Sequence, residues 1–488
     1  MKLLVVAADA LTPEYIIGQK YFFPNLTKLT NSGAMAEYSA YVQRSYEGSY
    51  SSTQNWASIY SGIAPNEHKI DVKKINNEYI HPSMGELNEY QPFWKAVNDE
   101  GYSLGMFQPS CCISPVPIDS YCLTCMYSPI FTPSENRTAK RHLQLNDKDC
   151  WIMDVLDDEP PPRLYPKTIK QLGFTFEQLK KNPDLADEMF DGYDFSEVID
   201  NFNDELVYWK KGIKKVYNKK PVDILWFYTP STDIISHFVL FKDNCEVLIK
   251  CYKLLDEFIG ELINGYGPEY VVVMSDHGQA NFKDLVKCSD PSVQREAFSK
   301  ADDALWLNNG YIAFEAQNGG LLLTAHSLKG VFVVSGPNIR NTTVNDMRTL
   351  DIYPTLLEML DIRVPAGRKG YVADVFTKPI VNSEKLLKAE DVVYRKIALV
   401  QTHEVSVMDI ILNELYLEKR FSLITVAGEP KYEEIFRNNP RVFDFVDMDS
   451  FDEKNYDEVY CGFYNAATKS MMHLNVKYHN PELFTVKT

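Results

Sequence analysis

The sequence predicts an α/β protein with a mostly parallel central sheet flanked by helices, an inserted cap, and a small α/β domain at the carboxyl end. Three observations carry this. Apolar, β-branched or aromatic runs such as 2-KLLVVAA-8, 223-DILWFY-228 and 270-YVVVM-274 read as strands covered on both faces. Helical stretches such as 24-PNLTKLTNS-32 and 92-PFWKAVNDEG-101 fall between them. The runs also stop at polar, metal-binding side chains, and open α/β sheets bind ligands at that carboxyl edge.

Composition bounds the function. A chain of 488 residues, 45% hydrophobic and 13% aromatic, has material for more than one core. Its net charge of −17 and pI near 5.1 argue against stable nucleic-acid binding, which needs basic patches that neutralise phosphates. An anionic substrate therefore needs local cations, most simply metal ions. The opening MKLLVVAAD has an apolar run too short for an export signal and reads as the first strand, and no window suggests a membrane span. Nine cysteines, including Cys111, Cys112 and the pair Cys122 and Cys125, are then expected as reduced thiols in a cytoplasmic protein.

Taken in order, the first strand ends at Asp9, which is either the cap of the next segment or a ligand at the sheet edge. A helix over 24-PNLTKLTNS-32 closes near Gly33 and leads to a second strand. The stretch 45-SYEGSYSSTQNWASIYSG-62 is dense in hydroxyls, and a serine or threonine oxygen becomes a competent nucleophile when a metal ion lowers its pKa. Polar residues before a helix are more often caps than nucleophiles, so Ser51, Ser52 and Thr53 taken singly read first as caps. After the helix and strand over 92–107 comes a Pro-rich loop, and about 134–215 brings a shift toward charged residues.

Past the strand 223–228, Asp233 and His237 are spaced i, i+4, which sets a carboxylate and an imidazole on one helical face within reach of one ion. A solvated carboxylate and a surface imidazole would show the same spacing. Asp276 and His277 follow the strand 270–274, and His326 precedes the strand 331–334.

Asp9 at a strand end, a hydroxyl ten residues before Gly62 in 52-STQNWASIYSG-62, and 65-PNEH-68 together resemble the alkaline phosphatase superfamily, in its type I phosphodiesterase and nucleotide pyrophosphatase branch. The likeness extends through 222-VDILWFYTPSTDIISHF-238, 270-YVVVMSDHG-278, 324-TAHSLKGVFVVSG-336 and 349-TLDIYPTLLEMLDIRVPAG-367. It implies an alkaline-phosphatase-like catalytic domain over 1–379, with the stretch at about 134–215 an inserted cap, and two divalent metal ions. One ion would be held by Asp233, His237 and His326, the other by Asp9, Asp276, His277 and the oxygen of Ser52. Mixed carboxylate and imidazole ligands suit zinc, with manganese or iron as alternatives.

The resemblance makes Ser52 the nucleophile, with Thr53 the alternative, and implies hydrolysis of phosphodiester or pyrophosphate bonds in a small phosphate ester or nucleotide-like substrate through a phosphoserine intermediate. Where such enzymes carry an asparagine eleven residues past the helix-closing glycine, this chain has Lys73, either a partner for a phosphate oxygen or one of a surface pair with Lys74. Asn55, about one helical turn from Ser52, is the second candidate for binding the phosphoryl group. A phosphomonoesterase, a phosphoryl transferase or a non-catalytic binding protein are the alternatives on the same scaffold. A formylglycine sulfatase is disfavoured, because Gln54 and Trp56 stand where its motif wants Pro and Arg.

From residue 380 the pattern changes. Strands at 397-IALVQ-401, 421-FSLITVAG-428, 441-RVFDFVDM-448 and 457-DEVYCGFY-464 alternate with helices, which predicts a small parallel α/β domain over 380–488 serving a protein partner or self-association.

Overall fold

Every residue of Leu3–Ala8 is buried, because this strand lies in the middle of a sheet covered on both faces. Alternate side chains go to opposite sides. Leu3, Val5 and Ala7 join one core with Trp56, Tyr60, Phe93, Trp94, Trp226 and Tyr353. Leu4, Val6 and Ala8 join the other with Leu26, Trp209, Phe227, Tyr252 and Phe258. The computed structural model describes residues 1–17, 23–41, 51–70, 73–75, 78–80, 84–110, 116, 118–128, 138–156, 160–164, 173–182, 185, 195–239, 245–281, 288–290, 292–293, 304–306, 312–315, 321–322, 324–383, 394–401, 405, 408, 411–412, 415–416, 419, 422–465 and 470–475.

These residues fall in two compact units. The first holds the described residues of Met1–Val42, Glu47–Phe282 and Leu305–Leu387, the second those of Lys283–Ala304 and Lys388–Thr488. The described residues up to 383 belong to the first unit and those from 394 to the second, which also takes the described residues of Lys283–Ala304.

The first unit is built on a ten-stranded sheet in the order Thr342–Val344, Ala34–Ser39, Lys329–Ser335, Tyr270–Met274, Leu3–Ala8, Ile224–Thr229, Leu104–Phe107, Tyr121–Ser128, Thr138–Leu145, Arg163–Leu164. The five strands from Tyr270–Met274 to Tyr121–Ser128 are parallel, while Lys329–Ser335 runs antiparallel to both its neighbours. Helices Ser51–Ser61, Phe93–Asp99 and Thr349–Met359 contribute to the first core, and Pro24–Ser32, Phe195–Lys219 and Cys245–Tyr266 to the second.

The inserted cap expected over 134–215 is corrected at both its ends. Thr138–Leu145 and Arg163–Leu164 extend the sheet as antiparallel edge strands. Phe195–Lys219 drives Phe202, Leu206, Trp209, Ile213 and Val216 into the core. Charged residues of this helix, such as Lys211, Lys214 and Lys215, lie on its solvated side. Between them, Phe176–Lys181 is a short helix opened by a Thr175–Gln178 capping box.

The second unit carries a five-stranded sheet in the order Asp444–Asp447, Ser422–Gly428, Arg395–Val400, Glu458–Asn465, Ser470–Asn475. The first four are parallel, as the sequence suggested; the last is an antiparallel edge strand it did not. Val405, Met408, Ile411, Leu412 and Leu415 are helical and buried, so an apolar stripe of the helix expected between the strands 397–401 and 421–428 faces inward. Also within this unit, Glu434 accepts hydrogen bonds from the Ser289 backbone N–H at 2.9 Å and from its hydroxyl at 2.7 Å.

Candidate metal and phosphoryl-transfer site

Register brings the candidate ligands together. Ala7 pairs with Met274 and Ala8 with Thr229, so the three central strands release their chains side by side, at Asp9, Ser275–His277 and Thr229–Asp233. Ala10 takes a left-handed φ of 53° directly after Asp9, and its N–H reaches Asp276 Oδ1 at 3.3 Å. The neighbouring loops are tied by the Ser275 hydroxyl, which donates to Leu11 O and accepts from Val331 N. Beyond His277, the Gly278–Asn281 strand pairs antiparallel with Thr324–Ser327, which carries His326.

Two ligand clusters result: Asp9, Asp276 and His277, and Asp233, His277 and His326, each with donor atoms within 4.8 Å of one another. His237 adjoins the second. Asp233 Oδ1, His237 Nε2 and His326 Nε2 form a nearly equilateral triangle with sides of 3.3, 3.4 and 3.3 Å. A tetrahedral zinc ion with Zn–N and Zn–O bonds of about 2.0–2.1 Å needs ligand atoms about 3.3–3.4 Å apart. That donor geometry fits a metal.

Electrostatics point the same way. Burial, and then the carboxylates of Asp276 and Asp233, hold the Asp9 carboxyl well above its usual range. Burial, with Asp233 nearby, pushes Asp276 up to about 7. Asp276 Oδ2 lies 3.2 Å from His277 Nε2 yet makes no hydrogen bond among the described residues, a buried orphan that a cation would satisfy. For Asp233 burial works upward, but His237 and His326 outweigh it and the net shift is well downward. Burial lowers His277 to about 4 and His326 to about 3, so both imidazoles are neutral and able to ligate near pH 7.

Ser52 sits in the first turn of Ser51–Ser61, with Oγ 2.8 Å from His277 Nε2 and 3.5 Å from Asp9 Oδ1. His277 Nδ1 lies 3.0 Å from the Gly278 carbonyl, which accepts its proton and leaves Nε2 as the lone-pair nitrogen facing the serine. Thr53 is 2% exposed. Asp9 is further held by the hydroxyl of Tyr228 and, at 3.4 Å, by Trp56 Nε1, both donating to Oδ2.

All seven predicted metal-site residues therefore converge. The two predicted substrate-binding residues fare differently. Asn55 is fully buried; its Oδ1 accepts from Tyr41 N and Thr349 Oγ1 and its Nδ2 donates to Tyr41 O, so its amide is spent on the fold and the phosphoryl-binding role is corrected. Lys73 lies on the strand Lys73–Ile75, and its side chain falls outside the described residues. Sequence reasoning overlooked Tyr228, Trp56 and Gln279, because strand-end tyrosines, helix tryptophans and a lone glutamine carry no spacing signal of their own.

An α/β sheet whose carboxyl edge gathers aspartates, histidines and a serine fits a metal-dependent phosphoric ester hydrolase. The chain belongs to the type I phosphodiesterase/nucleotide pyrophosphatase family, which matches residues 3–321. Among solved structures it is similar to human ectonucleotide pyrophosphatase/phosphodiesterase 5, at 13% identity and a TM-score of 0.40 over 78% of this chain and 100% of that one. It is similar to the murine counterpart at 14% identity and a TM-score of 0.41 over 76% and 98%, and to an inactive variant of the murine protein in complex with AMP at 14% and 0.41 over 76% and 97%. No curated protein matches significantly. No described helix is long and apolar enough to cross a membrane.

Proposed function

We propose that the chain hydrolyses phosphodiester or pyrophosphate bonds of small, nucleotide-like substrates in two displacements at Ser52. In the first, Ser52 Oγ gives up its proton and bonds to phosphorus as the P–O bond to the departing alcohol or phosphate breaks and that group leaves protonated, which leaves a phosphoserine still carrying the substrate's other substituent. In the second, water attacks the same phosphorus and the serine oxygen departs. The observation that carries the reading is the approach of Ser52 Oγ to 2.8 Å from His277 Nε2 beside Asp9.

Two divalent cations, zinc for preference, would be held by Asp233, His237 and His326 and by Asp9, Asp276, His277 and Ser52; they would supply charge neutralisation at the phosphoryl oxygens and a lowered serine pKa. The residues themselves do the positioning. Asp9, fixed by Tyr228 and Trp56, and His277, fixed through its Nδ1, aim the serine oxygen. Asp9, Asp233 and Asp276, in a chain of net charge −17, would repel a phosphate by themselves, which supports a cation-loaded working state.

The test is release of nitrophenolate from bis-p-nitrophenyl phosphate and from p-nitrophenyl phosphate by the full chain, before and after chelation and zinc readdition. Preferential diester cleavage, lost on chelation and restored by zinc, is expected. Turnover of neither ester by zinc-loaded protein contradicts the reading; faster monoester cleavage replaces it with a phosphomonoesterase.

A further inference from the structure

Gln279 lies two residues beyond His277, and its register partner across the ribbon is His326. Directly opposed residues of an antiparallel pair present their side chains to the same face. Gln279 is 3% exposed. Its backbone N–H donates to Thr12 Oγ1 at 3.0 Å, and that hydroxyl donates to Ala10 O, so the glutamine is anchored to the loop that follows Asp9.

The amide end is driven into the ligand triangle. Gln279 Nε2 stands 2.6 Å from Asp233 Oδ1 and 3.1 Å from His237 Nε2. An amide oxygen in that place would face a carboxylate oxygen at 2.6 Å, so the donor end is the one turned to Asp233. Oδ1 is also the oxygen that faces both imidazoles. A carboxylate oxygen has lone pairs for more than one partner, so it can accept from the amide and still ligate. Burying an amide costs free energy unless it is hydrogen-bonded, and an apolar side chain of the same size would carry no such cost.

Resting on the hydrolase reading above, we propose that Gln279 is a positioning residue for the cation held by Asp233, His237 and His326. Its amide N–H holds the Asp233 carboxylate with Oδ1 turned to the two histidines and so sets the affinity of that site and not of the other. Hydrogen bonds of this kind to a ligating carboxylate typically change metal affinity about 10–100-fold.

The test uses the full chain and zinc alone. Zinc affinity is measured by competition with a chromogenic chelator for the wild type, Gln279→Met, Asp233→Asn and the double variant, with the thermal midpoint of each metal-stripped protein as the folding control. Expected are two zinc equivalents in the wild type, and in Gln279→Met one unchanged and one weakened about 10–100-fold. In the Asp233→Asn background Gln279→Met should have no further effect, because the two residues act through one hydrogen bond. Equal weakening of both sites, no weakening, or an undiminished effect in the double variant overturns the inference. A wild type that binds no zinc overturns the hydrolase reading and this inference with it, which separates the two failures. If Gln279→Met does not fold, Gln279→Ser, too short to reach Asp233, is judged by the same criteria.

Discussion

Ser52 Oγ lies 2.8 Å from His277 Nε2, joining the first turn of one helix to the end of a strand 225 positions further along the chain. Ser52→Ala should lower kcat on a phosphodiester by at least about a thousandfold, since the covalent step loses its nucleophile. Zinc content should stay at two equivalents with at most modestly lower affinity. Thr53→Ala should keep turnover. Steady-state kinetics beside metal analysis of the same preparations decides both points.

Cation uptake should release protons. Asp9 and Asp276 sit above their ordinary range, Asp276 at about 7, so near neutral pH the metal-free site holds protons that a cation must displace. Zinc titration calorimetry at pH 7 in buffers of different ionisation enthalpy should show net proton release, and apparent affinity should fall as pH drops from 7 to 6. Equal heats in every buffer would contradict this origin of the shifts.

Gly278 carries no side chain because there is no room for one. A Cβ there would come 2.7 Å from Ser327 Oγ and 2.8 Å from Lys329 O, against the strand that presents His326. Gly278→Ala should cost about 1–3 kcal/mol of stability through overpacking and also weaken zinc binding. The urea midpoint and zinc competition assay read the two effects on one sample.

His68 should make the fold acid-sensitive well above the carboxylate range. It is buried beside Ser58 Oγ, accepts from Ile70 N at Nδ1, and is lowered by burial from 6.5 to about 4. The unfolded chain therefore binds the proton first. Its contribution is intact above pH 6.5 and is lost progressively as pH falls from 6.5 toward 4, by about 3 kcal/mol in all. His68→Gln, neutral throughout, should flatten the stability profile over that window; an unchanged slope would assign the acid sensitivity elsewhere.

The sites legible in the sequence are those where a residue's chemistry contradicts its setting. Asp9, Asp276 and His277 stand out because a wholly apolar strand stops at a charged or imidazole side chain, and Asp233 with His237 because of their helical spacing. Asn55 was misread: helical spacing from Ser52 says nothing of the Tyr41 backbone that occupies its amide. Gln279 left no trace, since its role depends on cross-strand register with His326 and on a contact to Asp233, 46 positions away. Among the elements, central strands declare themselves by continuous apolar runs. The antiparallel strands Thr138–Leu145 and Ser470–Asn475, at the outer parts of their sheets, carry no such run.

Anomalous scattering at the zinc edge from crystals of the zinc-loaded protein tests the central claim most directly. Two peaks are expected, one enclosed by Asp233, His237 and His326 and the other by Asp9, Asp276 and His277 with Ser52 Oγ as a neighbour. A single peak, or peaks away from these side chains, would contradict the account.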